Sequence, residues 1–378
     1  MRRLLAVSLK ELRQLRRDRL TLAMMLSMPV SELLLLGYAI NTDIRHLQTV
    51  VLDRDRSAAS RRLVVQMQAT GYYDIVGDVE NYEDIARALR SGRATVGLVV
   101  PARFSSDLTR RRPVRLQLLV DGSDPQVLGT AIDTAIDTAT GLAAARSAEL
   151  ATPGLSQTHP RPTLAPLSFE PIILYNPEQR TAVYIVPGLI GVLLTMTMVM
   201  LTAMALTRER ERGTLEALIV SPATRMEIVG GKIAPYIAIG YGQMTLVLLA
   251  GWWFFDVPTA GSLPLLYLLA ALFIAAHLAL GLLFSTVART QQQAMQMSFF
   301  FLLPNILITG FVFPFESMPV SVQRLAQALP LTHFLRVARR ILLKGAHAED
   351  MNHEIAWLAA IVAVFIAAAA VRFKKKLL

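Results

Sequence analysis

Two ionisable side chains stand inside long apolar runs: Glu32 within residues 20–40 and His277 within residues 264–287. A carboxylate and an imidazole at similar depth in a membrane can pass protons, so this pair would suit a proton-coupled secondary carrier. The plainer alternatives are a buried hydrogen-bonded pair or two unrelated groups facing a pore. Other reactive chemistry is scarce. With no cysteine, the chain can have no disulfide framework, thiol nucleophile or thiolate metal site. Gly230-Gly231-Lys232 lacks the first glycine and the hydroxyl residue of a phosphate-binding loop. The polar insert at 41–182 has no paired histidines at metal spacing and no serine in a nucleophile elbow. We expect no catalytic residues, no metal and no cofactor in the chain itself.

The polar segment Thr207 to Lys232 offers contact chemistry instead. Arg208, Glu209, Arg210, Glu211 and Arg212 interleave opposite charges. Gly213 separates them from an apolar patch of Leu215, Leu218, Ile219 and Val220, and Ser221-Pro222 ends that short helix. Thr224 followed by Glu227 has the spacing of a capping box, which starts a second helix. Composition alone allows a solvated charged turn beside a membrane. A turn that merely connects two spans needs no pair of capped helices, which favours a docking element.

The elements that position these residues follow from hydropathy. The 378 residues are 53% hydrophobic and 17% charged, with a mean hydropathy of +0.45. Such a chain is an integral membrane protein with one sizeable polar insert. The net charge of +10 could suggest nucleic acid. The basic clusters Arg2 to Arg19 and Arg372 to Lys376 flank apolar runs, however, and membrane orientation explains them without a nucleic-acid partner.

The expected fold is a polytopic α-helical membrane protein with six transmembrane helices and an α+β extracytoplasmic domain inserted between the first two. Residues 1–19 form an amphipathic interface helix, 20–40 the first span, 41–182 the outer domain and 183–206 the second span. The cytoplasmic loop 207–232 follows. Further spans occupy 233–255, 264–287, 294–313 and 354–371. An extracytoplasmic or re-entrant segment covers 314–353, and 372–378 is a basic cytoplasmic tail. Arg336, Arg339, Arg340 and Lys344 fall on the outer side against the charge rule. An amphipathic or re-entrant helix carrying Leu331, Phe334, Leu335 and Ile341 would reconcile them.

In the insert, strands are expected at 50–52, 74–79, 95–100, 114–120 and 169–174. Helices are expected at 57–69 and 82–91, with a long helix capped by Asp124-Pro125. Met196, Met200 and Met204 form a soft stripe at helical spacing, which is either packing or an adaptable wall for varied apolar substrates. Pro304 removes a backbone hydrogen bond in the fifth span and Asn305 adds a polar group beside it, so that helix should bend or break.

Three stretches carry a family resemblance. Glu209, Arg210, Gly213, Thr214, Glu216, Leu218, Ser221 and Pro222 resemble the cytoplasmic signature of ABC-2 type transporter permeases. Tyr175-Asn176-Pro177-Glu178 with Val186-Pro187-Gly188-Leu189-Ile190 resembles the point where that family's outer domain re-enters the membrane. The third stretch runs from Phe301 to Gly345 through Pro304, Gly310, Pro314, Met318, Pro319, Phe334, Arg336 and Lys344. Arg340 departs from it, standing where relatives often have a small residue.

The resemblance implies a multidrug-type exporter in a bacterial inner membrane with both termini cytoplasmic. It implies a homodimer or a pairing with a paralogous permease. A separate ATPase subunit would bind ATP and Mg and dock on Glu209 to Pro222, with Thr224 and Glu227 in the same loop. A periplasmic adaptor protein is a further implied partner. Spans two and five would line the substrate path, which makes Met196, Met200, Asn305 and Thr309 candidates. The substrate would be small and apolar or amphipathic. The carrier based on Glu32 and His277 would leave the docking motif unexplained, and a membrane-anchored sensor or assembly factor would explain the outer domain but not six spans.

Overall fold

The computed structural model describes residues 44–110, 112–150, 167–213 and 225–375. The expected interface helix 1–19, the first span 20–40 with Glu32, and residues 214–224 lie outside them.

The insert begins with β1 (Leu47–Asp53), α1 (Ala58–Ala69), β2 (Tyr73–Asp78), α2 (Tyr82–Arg90), β3 (Val96–Val100) and α3 (Phe104–Thr109). It continues with β4 (Val114–Asp121), α4 (Pro125–Leu150) and β5 (Leu167–Leu174). The strands make one sheet in the order β2-β1-β3-β4-β5, parallel except for the antiparallel β3–β4 pair. β3 reads Val-Gly-Leu-Val-Val, and all five residues are buried because helices cover both faces of the sheet. On one face Leu47, Val51, Val96, Leu98, Leu116 and Leu118 pack with Leu63 and Met67 of α1 and with Leu128 and Ala131 of α4. On the other, Val50, Leu52, Val99 and Leu119 meet Ile85 and Leu89 of α2. The Tyr73 hydroxyl donates to the Ala131 carbonyl at 2.8 Å and ties α4 to the sheet.

The helical part comprises α5 (Thr181–Glu211), α6 (Arg225–Phe255), α7 (Leu263–Val287) and α8 (Gln291–Ile308). Then come α9 (Val320–Gln327), α10 (Pro330–Lys344) and α11 (Asn352–Lys375). Among the described residues, four helical stretches are long and apolar enough to cross a membrane: 181–211, 235–255, 263–287 and 348–369.

Two expectations change. The fifth span, expected over 294–313, is an 18-residue helix that ends at Ile308. It runs unbroken through Pro304 and is stopped instead at Thr309-Gly310, where Gly310 takes a φ of 88°. Residues 207–211 close α5, and α6 begins at Arg225, where the Thr224 and Glu227 spacing placed the start of a second helix.

The re-entrant expectation becomes α10. Leu331, Phe334, Leu335, Val337, Ala338, Ile341 and Leu342 are all buried, and the helix packs among α5, α7 and α11. Phe334 stacks on Phe273 of α7 with ring centres 4.2 Å apart. α5 comes close to α10 because Gly188 has no side chain; a Cβ there would press on Phe311 and Leu335. This is a physical reason for the Val-Pro-Gly-Leu-Ile stretch. At the sheet-domain end of α6, Trp252 and Trp253 are exposed, as an interfacial aromatic belt requires.

Candidate functional site

Three places in the helical bundle gather the polar side chains. The first is the end remote from the sheet domain, where α5 finishes. Arg208 Nε donates to Gln291 Oε1 at 3.1 Å, and Arg210 Nη1 donates to the Ala288 carbonyl at 2.8 Å. Both oxygens of Glu211 are used by Gln291: Oε1 accepts its backbone N–H at 2.9 Å and Oε2 its amide at 2.6 Å. Arg210, expected to face a partner, is thus engaged within the chain. Glu209 is half-buried beside it, and Gly213 takes a φ of 69° just after the helix. Glu227 falls in the first turn of α6. Thr214, Glu216, Leu218, Ser221, Pro222 and Thr224 lie outside the described residues, as does the side chain of Glu227. Gln291 and Glu211 escaped the sequence reading, although Glu211 stands inside the charged run.

The second place is the middle of the bundle. His277 is fully buried. Its Nδ1 lies 2.9 Å from the Phe273 carbonyl, which only accepts, so Nδ1 donates. In the neutral ring, Nε2 then accepts from the Thr195 hydroxyl at 3.1 Å. Both nitrogens are satisfied inside the chain without a carboxylate, the pattern of a structural core histidine.

Met196 and Met200 on α5 are half-buried. Asn305 and Thr309 are 1% and 2% exposed. The Thr309 hydroxyl donates to the Asn305 carbonyl at 2.6 Å, but neither polar atom of the Asn305 side chain has a hydrogen-bond partner. Leaving such a group unpaired in an interior costs about 1–3 kcal/mol.

The third place is where α10 meets the sheet domain and α11, and it gathers the four basic residues expected to run against the charge rule. Arg336 and Arg340 approach Glu354 Oε1 at 3.3 and 3.7 Å. His333 Nδ1 lies 2.5 Å from Glu354 Oε2, and its Nε2 donates to the Gln327 carbonyl at 2.8 Å. Arg336 also lies over the Phe315 ring. Arg339 sits over the Tyr184 ring at 4.0 Å and donates to the Gly310 carbonyl. Lys344 pairs with Asp121 at the end of β4, and its ammonium also donates to the Leu89 carbonyl at 3.1 Å. Arg90 of α2 reaches Asp350 at 3.8 Å. Arg340, the departure from the family pattern, is accommodated beneath Gly92.

Long apolar helices, a sheet domain at one end and a pinned, charged helix turn at the other define a helical membrane permease. No cluster that could hold a metal occurs among the described residues. The chain belongs to the ABC-2 transporter family: the profile described as "ABC-2 family transporter protein" matches residues 19–371.

The chain is similar to two proteins of Escherichia coli K12 named "Probable multidrug ABC transporter permease". YbhR is 29% identical over 98% of this chain and 97% of its own length. YbhS is 28% identical over 100% of this chain and 98% of its own. "Inner membrane transport permease YhhJ" of the same organism is 29% identical over 86% of this chain and 84% of its own. Permeases of this family are transmembrane transport subunits, not enzymes by themselves, and they work with ATP-binding subunits.

Proposed function

We propose that this chain is the membrane half of an ATP-driven exporter for small apolar or amphipathic compounds. It would work as a dimer, alone or with a paralogous permease, in the inner membrane of a bacterium. A separate ATPase subunit, holding ATP and Mg, would dock on the segment from Glu209 through Thr214, Glu216 and Ser221-Pro222 to Glu227. The likeness to the two multidrug permeases, almost end to end on both sides, carries this reading. The sequence adds that no phosphate loop is present, which leaves ATP hydrolysis to a partner. The sheet domain, projecting outside, would deliver substrate to an adaptor protein.

The substrate path in this reading runs past Met196, Met200, Asn305 and Thr309. The unpaired Asn305 amide supports it, since a polar group of this kind is retained inside an apolar bundle where a partner reaches it in some state. The native chain is free of cysteine, so labelling is clean. In the reconstituted permease–ATPase complex, a water-soluble thiol reagent should label Asn305→Cys in a manner that changes with nucleotide. Labelling that is absent in every nucleotide state, while Phe315→Cys reacts, would remove Asn305 from the path. Failure of any ATPase to co-purify would remove the exporter itself.

A further inference from the structure

We propose that Glu211 and Gln291 form a clasp that makes the last turn of α5 move as one body with the start of α8. The inference rests on the reading of Glu209 to Glu227 as the ATPase-docking element.

Gln291 is the first residue of α8, whose first-turn backbone N–H groups have no partner within the helix. The helix's own cap, Thr290, accepts the Gln293 N–H at 3.1 Å and leaves the Gln291 N–H over. Glu211 takes it from another helix, 80 residues away in sequence. The same carboxylate takes the Gln291 amide N–H, while Arg208 donates to the amide oxygen. Every polar side-chain atom of Gln291, together with its N–H, is therefore held by the last turn of α5. Arg210 adds a bond to the Ala288 carbonyl, just before the turn into α8.

Beneath the clasp the two helices meet through small residues, Ala203 on α5 and Ala294 on α8, with Ala288 between α7 and α8. Small side chains let the backbones run close together. Several bonds on one residue matter here for geometry more than for stability, because exposed polar pairs contribute little.

The consequence is mechanical. Residue 213 leads into the rest of the docking segment, so a force applied there reaches Glu211 within two residues. Without the clasp it would reach α8 only through the Arg210 bond to Ala288 and the small-residue packing beneath. With it, the force also reaches the N-terminus of α8, the helix that carries Pro304, Asn305 and, at its end, Thr309. The two helices proposed to line the path would then shift together. Glu211 and Gln291 are positioning residues that touch neither ATP nor substrate.

The test compares Glu211→Ala, Gln291→Ala and the double variant in the permease co-purified with its ATPase, measuring export and ATP hydrolysis in the same vesicles. Gln291→Ala, which lies outside the docking segment, should hydrolyse ATP at the unaltered complex's rate and lower export per ATP by about 5-fold or more, the lower end of coupling energies between sites, and Glu211→Ala should lower export per ATP by the same factor. The double variant should be no worse than either single, since both remove one interaction.

Losses that multiply in the double variant overturn the clasp. So does hydrolysis by Gln291→Ala that falls in parallel with export, which would mean damaged assembly, and so does unchanged export per ATP. If the unaltered complex retains no ATPase, the docking reading fails first and the clasp falls with it.

Discussion

The ammonium of Lys344, the last residue of α10, closes on the carboxylate of Asp121, the last residue of β4. This joins the bundle to the sheet domain across 223 residues of sequence. Their side chains are only 6% and 8% exposed. The other Asp121 oxygen accepts the Ser123 N–H at 3.0 Å, and the ammonium also faces the Tyr175 ring. Burial, with the charge of Asp121 next, pushes the Tyr175 hydroxyl up to about 12, so it stays protonated beside the pair.

Breaking this pair from one side leaves a buried carboxylate without its cation. Lys344→Ala should cost about 3–5 kcal/mol. Removing both partners with Asp121→Ala should recover part of the loss, because the stranded charge is gone. Thermal unfolding of the detergent-solubilised permease measures this. A double variant less stable than Lys344→Ala would contradict the pairing.

Gly92 supplies a second test of the same junction. Its φ of 68° is left-handed, and a Cβ there would run into the Arg340 guanidinium. Gly92→Ala should therefore destabilise by about 1–3 kcal/mol. In an Arg340→Ala background the collision disappears and only the backbone strain remains, so the added cost of Gly92→Ala should shrink. An equal cost in both backgrounds would show that the two residues do not meet.

Much of this architecture was legible in the sequence, for a physical reason. The strands of the insert are short, largely apolar runs, and Asp124-Pro125 is a local cap, so these elements are encoded within a few residues. The six-residue α3 was missed because Phe-Ser-Ser-Asp-Leu-Thr has neither a side-chain cap nor a repeating apolar face. The clasp and the α10 junction were missed for a different reason. Lys344 with Asp121, Glu211 with Gln291 and His333 with Glu354 are pairs made by tertiary packing, and spacing carries no signal for them.

Pro304 misled as well. Its sequence marks a place where the helix can bend or break, and the helix is continuous through it, ending four residues later at Ile308. Spacing likewise gave no sign that Arg336 and Arg340 meet Glu354 or that Lys344 meets Asp121.

The neutral reading of His277 predicts both a stability effect and a transport effect. Thr195→Val keeps the shape of the side chain but leaves Nε2 without a donor in a fully buried site, which should cost about 1–3 kcal/mol. Export by the folded complex at constant ATP should persist when a protonophore collapses the proton gradient. Loss of export on adding the protonophore, with ATP hydrolysis maintained, would restore the proton-carrier reading of Glu32 and His277.

Asp124 gives the sheet-domain junction a pH dependence whose sign can be worked out. It caps α4, with Oδ1 accepting the Gln126 N–H at 3.0 Å, and burial lifts its carboxyl from an ordinary 3.8 to about 6. The charge of Arg339 opposes that rise and the charge of Glu316 assists it. Because the folded value lies above the unfolded one, the folded state holds the extra proton between about pH 4 and pH 6. The favourable contribution is therefore present at low pH and lost as pH rises through that window, by at most about 3 kcal/mol. Asn keeps the cap but cannot ionise. Asp124→Asn should raise the melting temperature at pH 7.5 and leave it nearly unchanged at pH 4, measured as the difference between variant and unaltered protein across that range. A variant less stable at pH 7.5 would show that the ionised carboxylate is stabilising through Arg339, and the buried-proton account of this corner would fail.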